Sequence, residues 1–143
     1  MTVCLFNKRR ELLLERHSKV LLRFSALFAL LGAFIGSHMA GAGSLAFKTV
    51  HAHILVVGWL TLFAWAVYYK IFTPAKTIIA TLHVYSAIIG SIGLTAGMWL
   101  YYIRPFGLAD GLVTVFFIVG GSILLLSFAL FAVLTFMRTE DGD

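Results

Sequence analysis

Four long apolar runs, separated by short polar interruptions, organise the chain: residues 20–39, 51–69, 77–102 and 111–137. Each is long enough to cross a bilayer core of roughly 30 Å, which takes about 20 helical residues. None shows the alternation of a barrel strand, and in lipid only helices and closed barrels satisfy their own backbone. The pattern predicts an all-α fold, a four-transmembrane-helix bundle with very short connections. It forms one domain over residues 1–143, with residues 1–19 as an N-terminal segment. Within that segment, residues 5–19 mix apolar and charged positions and predict a short helix lying on the cytoplasmic surface. Pro74 fits the start of the third helix.

Composition strengthens this picture. Hydrophobic residues make up 61% of the 143, and mean hydropathy is +0.98. A soluble domain of this size cannot hide that much apolar surface, so the lipid bilayer is the expected solvent. Nine of the 11 Lys and Arg residues lie before or just inside the first run, in the second loop, or after the fourth run. Only Lys48 and Arg104 lie on the other side. This asymmetry predicts cytoplasmic N- and C-termini in a bacterial inner membrane. The net charge of +5 is then mostly topology, and no aromatic-interleaved basic patch points to nucleic acid. The first run is too long for the core of a signal peptide, so an uncleaved helix is expected. The one cysteine, Cys4, cannot form an internal disulfide, and no C-x-x-C-H attaches a c-type haem.

Candidate chemistry rests on histidine. The ionisable residues inside the runs are Arg23, His38, His51, His53 and His83, and no Asp or Glu joins them. Polar ionisable groups in a membrane are costly and tend to be functional. Neutral imidazole suits haem iron, copper and zinc. His38, His51 and His53 lie toward the outer side, whereas His83 lies about two turns into the third run from the opposite side. His83 therefore should not share a metal with the outer group; a packed polar role is expected for it, with a second cofactor or a quinone contact as the alternative. His51 and His53 are two residues apart, so on a helix they point about 200° away from each other. One helix serving two separate sites is expected. Gly58, seven residues after His51, would leave room below that ligand for a flat ring, with Trp59, Trp65 and Phe63 as walls. On the third run Ser86, Gly90, Gly93 and Gly97 line one face, which lets another backbone or a flat ligand come close, with plain helix packing the favoured reading. The fourth run carries Gly120 and Gly121 but no His, and reads as a scaffold helix.

The stretch VHAHILVVGWLTLFAW resembles the helix of haem–copper oxidase subunit I that carries an H-x-H, and is similar to the nitric oxide reductase and NnrS relatives. The resemblance covers about 20 residues. It implies that one histidine of the pair serves one haem and its neighbour the other, in adjacent cavities. It also implies a homotrimer, because three four-helix chains would rebuild the twelve-helix oxidase core. A b-type haem would then be held by His51 of one protomer and His53 of the next. The chain departs from the oxidases in having no adjacent His-His pair and no tyrosine four residues from a histidine. The resemblance therefore does not imply oxygen reduction.

Three functional readings follow. The first is a membrane b-type haem protein that transfers electrons or binds O2 or NO, with His51, His53, Gly58 and Trp59 at the cofactor, His38 as a further outer metal contact, and copper as an additional ion. The second is a copper- or zinc-handling protein with His38, His51 and His53 as its entry site. The third is a structural assembly subunit with interfacial histidines.

Overall fold

The computed structural model describes residues 2–74 and 76–137, with side chains from residue 8 onward. Four helices long and apolar enough to cross a membrane are present among these residues, as the four runs predict. Helix α1 covers Thr2–Ala42. Helix α2 covers Lys48–Ile71, α3 Thr77–Ile103 and α4 Asp110–Phe136. Their outward faces carry large apolar side chains such as Leu30, Phe34, Ile78, Leu112 and Leu125, which suits a bilayer environment.

Two boundaries differ from the sequence reading. Residues 5–19 are not a separate surface helix; they continue α1, which runs unbroken for 41 residues, or about 60 Å. The cause is visible at Leu14, His17 and Leu21. All three are buried on one helical stripe, so packing carries the helix through the charged segment. Helix α3 begins at Thr77 rather than at Pro74, because Lys76 is still extended. At the far end of α1 the chain stops at Gly43, whose φ of +61 is cheap only for glycine.

Helix α2 is not uniform. Lys48–His53 and Leu62–Ile71 are α-helical, but Ile54–Thr61 is π-helical. The Thr61 hydroxyl donates to the Val56 carbonyl five residues back at 2.8 Å. From α1, Ser25 donates to the Trp59 carbonyl at 3.1 Å. Side chains thus satisfy backbone that a lipid environment cannot.

The bundle is built from two antiparallel hairpins. In the first, the Ser18 hydroxyl of α1 donates to the Ala66 carbonyl of α2 at 2.8 Å, and the Phe28 ring fills the space above Gly58. In the second, the small-residue face of α3 meets α4 directly. A methyl group on Gly97 would come within 2.7 Å of the Phe117 backbone, and Gly93 and Gly120 touch backbone to backbone. The face read as close helix packing is therefore that. Tyr68, Trp65 and Tyr69 of α2 join the hairpins through rings on α3 and α4.

Candidate functional site

The half of the bundle remote from the start of α1 holds the three histidines singled out by the sequence. His53 closes the α-helical start of α2, and its Nδ1 lies 3.0 Å from the carbonyl oxygen of Thr49. A carbonyl only accepts, so Nδ1 carries the proton and Nε2 keeps a lone pair. His51 turns the other way. Its ring packs on α1 at Gly36, where a methyl group would come within 2.9 Å of Cε1. The His51 Nδ1 atom is buried without a hydrogen-bond partner. The two imidazoles thus serve different surroundings, as helical spacing requires.

His38 has a third environment. It lines a cavity of about 760 Å³ between α1, the start of α2 and the outer part of α3. The walls are mostly apolar and include Phe34, Phe47, Ile54 and Trp99, with Thr95 adding a hydroxyl. That volume lies within the range of cofactor pockets, roughly 300–1,000 Å³. The His38 ring meets Phe47 edge-on, with centroids 6.3 Å apart.

The aromatic walls expected around Gly58 are arranged differently. The flat ring against Gly58 is Phe28 of the same chain. Trp59 and Phe63 are largely exposed. Trp65 lies in the other half of the bundle, 4.5 Å from the His83 ring centroid. The shift to π-helical geometry after His53 turns these later positions away from where a regular helix would put them. Among the described residues, no three His, Cys, Asp or Glu side chains gather to hold a metal ion. His38, His51 and His53 therefore do not form one copper or zinc entry site within the chain.

The opposite half holds a second, buried group. His83 is 0% exposed. Its Nδ1 shares a hydrogen bond with the Tyr69 hydroxyl at 2.8 Å, and that hydroxyl also lies 3.2 Å from the Ala80 carbonyl. Trp65, Tyr69 and Phe131 surround the ring. His83 sits level with Trp65, twelve residues along α2 from His53, so the two are about 18 Å apart in depth. The packed polar role expected of His83 and its separation from the outer histidines both agree with this geometry.

Sequence reasoning missed His17. It is buried beside Tyr69, and its Nε2 lies 3.4 Å from the Thr81 hydroxyl. That hydroxyl donates to the Thr77 carbonyl, so its oxygen is left to accept from His17. The signal was present: His17 falls on the Leu14–Leu21 stripe, where a solvated residue would not be expected.

Fold and site together define an all-helical, multi-pass membrane bundle with histidines in separate environments at its two ends. Compared with known proteins, the chain matches no family model, no curated protein and no solved structure.

Proposed function

We propose that the chain is a b-type haem protein of the bacterial inner membrane that carries electrons or binds a small gas at haem held in its outer half. The observation that carries this reading is the state of His53. Its Nδ1–H is fixed on the Thr49 carbonyl, which orients the ring and leaves Nε2 as the donor, the arrangement that metal-ligating histidines use. The cavity in the same half of the bundle, lined by His38 but not by His53 of the same chain, supplies the apolar, ring-sized space that such a group needs.

His53 and His38 are the residues that would hold the iron. His51 is the weaker donor, because its Nδ1 has no partner to orient it. His53 does not line the cavity of its own chain, so a second copy would complete its site. The resemblance to the oxidase core implies a homotrimer for that assembly, and the asymmetry of basic residues implies cytoplasmic termini. When bound, haem would supply a one-electron redox centre; ligation by two imidazoles would favour electron transfer over gas binding. The residues of the chain fix ring orientation and exclude water. Absorption spectra of protein purified from haem-replete cells, oxidised and then dithionite-reduced, test the proposal. A Soret band with a sharpened reduced α band is expected; an absent Soret band refutes it.

A further inference from the structure

Arg23 sits in an unexpected place. The Ser18–Ala66 and Ser25–Trp59 hydrogen bonds set the antiparallel register of α1 and α2, and that register puts Arg23 level with Thr61. Thr61 is nine residues past Lys70, or about 14 Å along the helix. Half of a bilayer core is about 15 Å. Arg23 is nevertheless exposed on the outside of the bundle.

It does not stand alone. Arg16, Lys19 and Arg23 lie at i, i+3 and i+7 on α1, all exposed, and so form one basic ladder descending from the membrane surface that carries the termini. Glu15 pairs with Lys19 at 2.8 Å and leaves both arginines without an ion pair. Glu11 is twelve residues from Arg23, about 18 Å away along the helix. Asp110 is paired with Arg104 at the opposite end of the bundle. Glu140, Asp141 and Asp143 lie outside the described residues. A second copy at the same depth would bring Glu11 and Glu15 no closer to Arg23, since depth is shared by symmetric copies.

We infer that this ladder is a binding site for an anionic phospholipid of the leaflet on the terminal side. A guanidinium stem reaches several ångströms toward the surface while its methylenes stay in the lipid. Local thinning of that leaflet brings the lipid phosphate, the nearest anion on that side, within reach of the guanidinium, and arginine binds it with two parallel hydrogen bonds. Arg16 and Arg23 would grip the headgroup from above and below, with Lys19 between them. The site is independent of haem.

Native mass spectrometry of the full chain released from nanodiscs of mixed phosphatidylglycerol and phosphatidylcholine tests this. The wild type should retain phosphatidylglycerol selectively. Arg16→Gln with Arg23→Gln should lower that selectivity roughly 30-fold, from about 1 kcal/mol per basic residue. Arg9→Gln, on the same face but outside the apolar span, should change it little. Arg23→Lys keeps the charge and should fall between the two, which covers a double variant that fails to fold. Equal retention of both lipids by the wild type overturns the inference. So does unchanged retention in the double variant, loss of the lipid on deleting residues 138–143, or loss only when the oligomer dissociates.

Discussion

The Nδ1 atom of His53 donates to the carbonyl oxygen of Thr49 one turn back at 3.0 Å. This bond fixes the tautomer and leaves Nε2 with a free lone pair. If that nitrogen is a haem ligand, His53→Ala should weaken haem binding by at least ~10-fold, the scale seen when ligand geometry is lost. His51→Ala should have a smaller effect, since His51 packs on Gly36. Soret absorbance per protein measured across a haem titration separates the two. Equal losses would return His51 to the ligand set.

The π-helical stretch gives a different test. Deleting Val57 should restore regular α-helical bonding over Ile54–Thr61. The wide turn absorbs one extra residue, so its removal leaves the His51–His53 turn facing nearly as before relative to the half of α2 that carries Trp65. Helical circular dichroism and the haem spectrum should both survive. A lost spectrum would mean that the wide turn itself places the histidines.

Tyr69→Phe keeps the ring but removes the hydroxyl shared by His83 and Ala80. A buried imidazole nitrogen is then unpartnered, at a cost of about 1–3 kcal/mol. Thermal unfolding in detergent should show the loss, while the haem spectrum stays as it was because the site lies at the other end of the bundle.

The α3–α4 seam discriminates between two adjacent glycines. A methyl group on Gly120 would collide with the backbone at Gly93 and Leu94, whereas one on Gly121 would meet only the end of the Leu94 side chain at 3.5 Å. Gly120→Ala should destabilise by about 1–3 kcal/mol, and Gly121→Ala should lie within about 0.5 kcal/mol of wild type. Chemical denaturation in mixed micelles measures both.

The four helices were legible because about 20 apolar residues in a row have few other stable uses. The divergence of His51 and His53 was legible too, since it follows from helical pitch alone. The place of Gly58 was not. Whether a gap beside glycine holds a cofactor or a neighbour's ring depends on α1, and Phe28 is thirty residues away in sequence. The π-helical shift left no separate mark, because ILVVGWLT reads equally well as regular helix. His17 was hidden by the charges around it, although its spacing from Leu14 and Leu21 told of burial.

Helix α1 touches both histidine groups without a break, at His17 near one end and at Gly36 against His51 near the other. Those contacts are nineteen residues apart, or about 28 Å. A helix unbroken over that length has no loop at which to absorb a displacement. A tilt of α1 would therefore move the aromatic cage of His83 and the seat of His51 together.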